Sequence, residues 1–370
     1  MLAGQSGAEA HRSYAIRFVG IGMALSAEFG TGHANQSLDS AVTSPRHAGA
    51  IRLSDGPHTD AKREISMNFM SEEESASLVS HEMAFAAARE AMIAAAGDAV
   101  IFPAVIAHGS SPTNRISIKS ASTPDFTGLK VGSFWPGNPE RGLPRHNSAI
   151  LLFDQDVGRV EWVIEGGKVN AYRTAAADAV TADALARPDA SVLTIFGVGN
   201  QALFECVAIA RIRPIEQVLV VARDAAKGTA FANALAAEGL AARCVDAREG
   251  CERADIVVTA TPSRAPLFDA HWIRPGTHVA SMGSDAAGKQ ELPPALFDRA
   301  ALFCDLPSQA VVMGDLQHFG GDRSAIVAIG DVLLGRRPGR VSPDQITLFD
   351  SSGIALQDLT IARRLVAARG

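Results

Sequence analysis

The alternation of polar and apolar positions changes character along this chain. Residues 1–66 sustain no helical or strand period beyond about ten residues, and they carry four of the ten histidines and no cysteine. From Met70 the pattern becomes regular. Ser71-Glu72-Glu73-Glu74 offers an N-cap and an acidic first turn. Leu78, Met83, Phe85, Ala88 and Met92 follow at positions that suit a helix, which predicts one long helix running towards Gly97. Short strand-like runs come next at 100–107, 115–119, 128–134 and 148–153, and a turn at 154–158 leads into a strand over 160–165. This section reads as antiparallel β with one helix in front.

A different pattern begins near residue 191. Residues 191–196 form a buried-strand run that feeds Gly197-Val198-Gly199-Asn200-Gln201-Ala202, and a helix follows to about Ile212. A G-x-G-x-x-A turn between strand and helix lets backbone approach a pyrophosphate, whose charge is stabilised by the helix N-terminus. Further strands at 217–222, 255–261 and 277–282 give the α/β alternation of a Rossmann dinucleotide-binding domain. At the end of its second strand, where an acid would bind a ribose 2′-hydroxyl, stands Ala222 followed by Arg223. A guanidinium in place of that acid favours a 2′-phosphate and hence NADP(H), while the neighbouring Asp224 keeps NAD(H) compatible. Active groups of open α/β sheets gather at C-terminal strand ends, which singles out Thr261, Ser263, Gly283 and Asp285. Asp285 sits in a glycine-bounded loop that can present a carboxylate, though an aspartate there can also simply shape a turn.

Composition narrows the function classes. At 370 residues the chain exceeds one ordinary core, so two domains are expected, and 47% hydrophobic with 20% charged residues excludes a disordered or fibrous chain. The net charge is −6 and no basic run exceeds the pairs Arg336-Arg337 and Arg363-Arg364, which argues against a nucleic-acid partner. No apolar stretch reaches the roughly 18 residues of a membrane helix. Cys206, Cys244, Cys251 and Cys304 match no zinc spacing, so no metal is expected and they read as reduced thiols of a cytoplasmic protein. Arginine so outnumbers lysine that the few lysines, among them Lys119, Lys130, Lys168 and Lys289, invite a search for ammonium-specific roles. The apolar run Phe18 to Ala27 is too short and glycine-broken for a secretion signal. Residues 1–66 are therefore expected to be a disordered leader or a mis-assigned start, with Met67 or Met70 as the natural first residue.

Four segments in order carry a resemblance. They are Gly128-Leu-Lys130-Val-Gly132, Asn170-Ala-Tyr-Arg173-Thr174-Ala-Ala176, the run Gly197 to Ala202, and Gly283-Ser-Asp285-Ala-Ala-Gly288-Lys289-Gln-Glu291. Together they resemble the ornithine cyclodeaminase and μ-crystallin family from about Met67 to the C-terminus, and residues 346–358 are similar to that family's closing strand and helix. The resemblance implies a Rossmann domain at 176–324 inserted in an α+β substrate and dimerisation domain made of 67–175 and 325–370. It also implies a homodimer, a small imino or amino acid as substrate, and hydride exchange between a nicotinamide and Cα. Arg173 and Lys130 would hold the substrate carboxylate and Asp285 would act as acid/base or stabilise an iminium. Thr174, Gly197, Gly199, Asn200, Gln201, Arg223, Thr261, Ser263 and Gly283 would surround the dinucleotide.

Departures from the family pattern shape the rest. Many members carry Pro-Pro-Arg where this chain reads Phe102-Pro103-Ala104, and Lys119 is expected to replace the missing cation. The stretch from Lys130 to His146 is more similar to iminosuccinate reductases than to cyclodeaminases. His146 would meet a second carboxylate or donate a proton, a structural histidine being the plainer alternative. Gln317-His318 shares that similarity without an assigned role. The expected activity is NAD(P)H-dependent reduction of a small α-imino acid, either iminosuccinate or a cyclic ketimine such as Δ1-pyrroline-2-carboxylate, to the L-amino acid. Its rivals are an ornithine cyclodeaminase using bound NAD, a hydroxyproline dehydratase and a ligand-binding protein without turnover.

Overall fold

The computed structural model describes residues 67–370, and the leader expected over 1–66 lies outside the described residues. Strand β1 (Asn68–Met70) leads into helices α1 (Glu72–Leu78) and α2 (His81–Ala95). The sequence predicts one helix here; two form because Ser80 turns extended and caps the second, its hydroxyl accepting from Met83 N at 3.1 Å. Strands β2 (Val100–Ile101) and β3 (Val105–His108) replace the single strand expected at 100–107, since Pro103 between them has no N–H to donate to a ladder. Strands β4 (Arg115–Ser122), β5 (Thr127–Phe134), β6 (His146–Phe153) and β7 (Val160–Glu165) complete a seven-stranded sheet. Its order is β1-β7-β6-β5-β4-β2 with β3 also on β4, and every pairing is antiparallel except β1 on β7.

Helix α3 (Gly167–Leu185) carries the chain into the second half. Alanines and other small residues let it bury most of its circumference, as a helix packed on several sides must. A parallel α/β region follows with β8 (Val192–Phe196), α4 (Asn200–Ala210), β9 (Gln217–Val221), α5 (Ala225–Ala237), β10 (Ala242–Cys244), α6 (Ala247–Arg253), β11 (Ile256–Thr259) and β12 (His278–Ser281). The chain continues through β13 (Ala300–Cys304), α7 (Pro307–Met313), β14 (Val327–Ala328), α8 (Ile329–Leu333), β15 (Ile346–Asp350) and α9 (Ala355–Arg369). All eight strands are parallel in the order β10-β9-β8-β11-β12-β15-β13-β14. The order reverses direction at β8, so the crevice beyond the ends of β8 and β11 is where a doubly wound sheet takes a nucleotide.

The domain boundary expected at residue 325 needs correction. Both β14 and β15 lie beyond it, yet they belong to the parallel sheet, while α9 packs back against β4, β5 and β6. All five residues of β15 are buried, as a strand covered on both faces requires, and this suits it to the slot between β12 and β13. One hydrophobic cluster runs through both sheets, from Met70, Met92 and Ile150 to Ile195, Val258 and Phe349.

Candidate active site

The nucleotide cradle is built from backbone. Gly197 ends β8 with φ +116°, a conformation that side chains rarely adopt, and a Cβ there would lie 2.7 Å from the Ala260 carbonyl oxygen. A Cβ on Gly199 would meet nothing within 4 Å, which leaves open space at the start of α4. Gly199 also provides no side-chain cap, so the first-turn N–H groups of α4 are available to an anion. Ala202 is fully buried and seats the helix on the sheet. These features fit a pyrophosphate, and the residues that would hold it are Gly197 to Gln201. Arg223 is exposed just past β9, whereas Asp224 caps α5 by accepting from Lys227 N at 3.0 Å.

The remaining expected cofactor residues are tied to the protein. Asn200 is exposed, but Gln201 Nε2 turns inward to Glu205 Oε1 at 2.7 Å and Ala171 O at 3.3 Å. Thr174 Oγ1 donates to Asn170 O, and Ser263 Oγ donates to Ala265 O, each at 2.7 Å. Thr261 gives both its N–H and its hydroxyl to Glu291 Oε1, at 2.6 and 2.7 Å. Gly283 packs so closely on the Thr261 carbonyl that a methyl would overlap it, and its N–H donates to Glu291 Oε2 at 2.8 Å. Glu291 thus binds the loops after β11 and β12 together, a role the sequence reading missed. Burial pushes its carboxyl up to about 7 against the pull of these donors.

Opposite the cradle, three cations converge. Lys119 on β4 and Lys130 on β5 are direct cross-strand partners. Lys130 Nζ donates to Asn170 Oδ1 and lies 3.0 Å from Asp358 Oδ1. Arg173 follows Asn170 by three residues on α3, so the same amide oxygen also accepts from Arg173 Nη2 at 2.6 Å. Arg173 Nη1 reaches Gln357 Oε1 at 3.2 Å, and its Nε sits 3.1 Å from Asp358 Oδ1 without hydrogen-bond alignment. Lys119 Nζ donates to the carbonyls of Ser352 and Gly353 at 3.0 and 2.7 Å. A Cβ on Gly353 would lie 3.3 Å from both Lys119 Nζ and Arg173 Nη1, which puts the two cationic heads in one pocket.

Burial pushes Lys130 down to about 7, with Arg173 adding to the effect and Asp358 opposing it. Lys119 is lowered for the same first two reasons. Burial acts to raise Asp358, but Arg173 and Lys130 together hold it below the usual carboxylate range.

Asp285 pairs with Lys289, four residues further along the loop after β12. Its side chain is 58% exposed although the cleft walls crowd it, so water still screens it. Desolvation pushes it up; Lys289 first, then Lys119 and His146, outweigh this and keep it ionised below its ordinary value. His146 begins β6 opposite Phe134, with ring centroids 4.8 Å apart. Burial lowers its imidazole while the Asp285 charge acts to raise it. The structure thereby brings Lys119, Lys130, Arg173, His146 and Asp285 within electrostatic reach of one another. Asn170, Gln357 and Asp358 complete the cluster; Gln357 and Asp358 are polar residues on the buried face of the closing helix α9.

A strand–glycine–helix turn fit for a dinucleotide, in one fold with a buried cluster of cations and an ionised aspartate, is the pattern of an NAD(P)-dependent oxidoreductase. The chain belongs to the ornithine cyclodeaminase/mu-crystallin family, whose sequence profile matches residues 71–368. It is 38% identical to the iminosuccinate reductase of Paracoccus denitrificans over 243 residues, 65% of this chain and 76% of that protein. The crystal structure of that reductase with NAD+ superposes with a TM-score of 0.76 at 34% identity, covering 82% of this chain and 96% of the other. An alanine dehydrogenase of Archaeoglobus fulgidus is 33% identical over 80% of this chain and 92% of its own length. The Δ1-pyrroline-2-carboxylate reductase of Thermococcus litoralis, solved with NADH and L-proline, matches with a TM-score of 0.76 at 27% identity, covering 82% of this chain and 97% of that one.

Proposed function

We propose that this protein reduces a small α-imino acid to the L-amino acid with NAD(P)H, and that iminosuccinate is preferred to a cyclic ketimine such as Δ1-pyrroline-2-carboxylate. The observation that carries this reading is the gathering of Lys119, Lys130 and Arg173 around one directly paired carboxylate, Asp358, with Asp285 facing them. Cationic charge in excess of that one carboxylate suits a substrate with two. Arg173 presents a planar fork to the α-carboxylate, Asn170 fixes its orientation, and Lys130 adds a second positive charge. A bound nicotinamide supplies the hydride that the imine carbon accepts. Asp285 stabilises the positive charge of the protonated imine, keeping the adjacent carbon electron-poor, and Lys289 orients that carboxylate. In this reading His146 and Lys119 meet the second carboxylate.

Arg223 supports NADP(H) as the favoured coenzyme, since Asp224 uses its carboxylate to cap a helix rather than to face a ribose. The related structures hold NAD+ or NADH, so NAD(H) is the coenzyme to compare. Four free cysteines suit a cytoplasmic location. We read the assembly as a homodimer joined through the antiparallel sheet.

The test follows NADPH and NADH absorbance with iminosuccinate, Δ1-pyrroline-2-carboxylate and Δ1-piperideine-2-carboxylate, with ammonia release from L-ornithine and NAD+ assayed in parallel. Rapid coenzyme oxidation with iminosuccinate is expected; ammonia from ornithine without oxidation would make the protein a cyclodeaminase. Asp285→Asn is expected to cost at least about 100-fold in kcat, the scale of general acid–base catalysis, while coenzyme binding is retained. Loss of both together would assign Asp285 a structural role.

A further inference from the structure

Gln317 and His318 occupy a 3₁₀ turn, Asp315–His318, that takes no part in the chemistry above. We propose that Gln317 is a positioning residue that pins the 284–290 loop and so fixes Asp285 opposite the carboxylate clamp. The inference rests on the role of Asp285 given under Proposed function.

The loop needs such a pin. It turns through Gly288 at φ +74°, and Asp285, Ala287 and Gly288 are exposed. Gln317 Oε1 accepts from Gly288 N at 2.8 Å, so it holds the loop at the turn itself. Gln317 Nε2 lies 2.7 Å from Gly314 O, 3.3 Å from Lys289 O and 3.4 Å from Ala286 O. With two amide protons for three carbonyls, the short contact to Gly314 orients the side chain and the other proton faces the loop, shared between Lys289 O and Ala286 O. His318 Nε2 lies 2.9 Å from Lys289 O; a carbonyl only accepts, so this nitrogen carries the proton. Lys289 is the partner of Asp285, and its backbone is thus held by the same turn that holds Gly288.

The turn is itself rigidly mounted. Asp350, the last residue of β15, accepts the N–H groups of Asp315 and Leu316, both at 2.9 Å. Asp315 Oδ1 in turn accepts the N–H groups of Glu291 and Leu292, at 2.9 and 3.1 Å, directly after the loop. From the same strand end the chain runs on through Ser352 and Gly353, whose carbonyls hold Lys119, to Asp358 beside Arg173 and Lys130. Acid loop and carboxylate clamp therefore hang from one strand end; Gln317 passes this placement to the turn at Gly288 and His318 to Lys289, while Arg264 Nη1 holds the Gly288 carbonyl from the other side at 3.2 Å.

The experiment compares the wild type with Gln317→Met, which keeps reach and volume without the polar contacts, and Gln317→Glu, which keeps the acceptor for Gly288 N–H and loses the donor. Amide hydrogen exchange over residues 286–290 is read in substrate-free protein, beside kcat, KM for the imine and Kd for NADH. Gln317→Met is expected to exchange faster in this loop, with kcat down roughly 10- to 100-fold, the scale of a misplaced reacting group, and Kd for NADH within about twofold. Gln317→Glu should fall between the two, and it carries the test if the methionine variant does not fold. Unchanged exchange would overturn the pin, and so would losses of kcat and of NADH binding that run in parallel with a lowered melting temperature. A wild type inert towards every imine would strike the proposed reaction instead, and loop exchange would still report on Gln317.

Discussion

Lys130 enters the clamp with its ammonium already weakened. Burial, then the Arg173 charge, bring it down to about 7, so it is charged below neutrality and increasingly neutral above. A charge-assisted hydrogen bond to a carboxylate is worth roughly 1.5–3 kcal/mol. Its loss should therefore lower kcat/KM for the imino acid by about tenfold or more as pH rises from 6 to 8.5. Lys130→Met should show the lower value at every pH, which separates this titration from that of the substrate. A wild-type profile parallel to that of Lys130→Met would remove Lys130 from carboxylate binding. A second prediction at this scale concerns Gly314, where a methyl group would overlap the Asp350 carboxylate. Gly314→Ala is expected to lower the melting temperature and slow turnover, because the buried carboxylate that mounts the 315–318 turn must move; an unchanged melting temperature would contradict this.

At the scale of elements, α3 and α4 meet through two fully buried acids, Asp178 and Glu205. Burial raises both, Asp178 to about 7, and the charge of Asp178 raises Glu205 further. Among the described residues, neither Asp178 oxygen nor Glu205 Oε2 has a hydrogen-bond partner, so nothing compensates a charge on either acid. The folded protein therefore keeps a proton that the unfolded chain releases above about pH 4, so stability falls as pH rises from there through 7. Asp178→Asn removes one of the two titrating acids and its charge beside Glu205. Its unfolding free energy should depend less steeply on pH between 5 and 8, by up to about 1.4 kcal/mol per pH unit, in denaturant titrations at each pH. A slope equal to wild type would mean that the pair holds no extra proton.

What the sequence made legible follows the same divide between local and distant. The strand–glycine–helix turn at 197–202 was readable from its own short segment, whereas Lys130, Arg173 and Asp285 took their roles from the family resemblance of theirs. The partners that tune them, Asn170, Asp358, Glu291 and Gln317, act across separations of up to hundreds of residues, and no local period reveals such a pairing. Helix α2 was mis-started because the Ser80 cap interrupts an apolar pattern that would otherwise continue.

The whole molecule shows how late segments complete early ones. β15 lies far along the chain from β12 yet sits beside it, so a boundary drawn along the sequence cuts through the parallel sheet. Among the described residues the antiparallel sheet, by contrast, leaves an edge unpaired. β3 pairs with β4 on one side, and Val105 and Ile106 stand 55% and 54% exposed there, near exposed Val100 and Phe102. An apolar strand edge of this kind is a liability unless something covers it. A second copy of the chain would cover it by isologous contact, in keeping with the two-fold symmetry common among soluble oligomers. Analytical ultracentrifugation at micromolar concentration should then give the mass of two chains, and Ile106→Lys should shift that mass towards one while the coenzyme cradle on the other sheet still binds NADH. A monomeric wild type would leave the exposed edge without this explanation, and a dimer indifferent to Ile106→Lys would place the interface on another face.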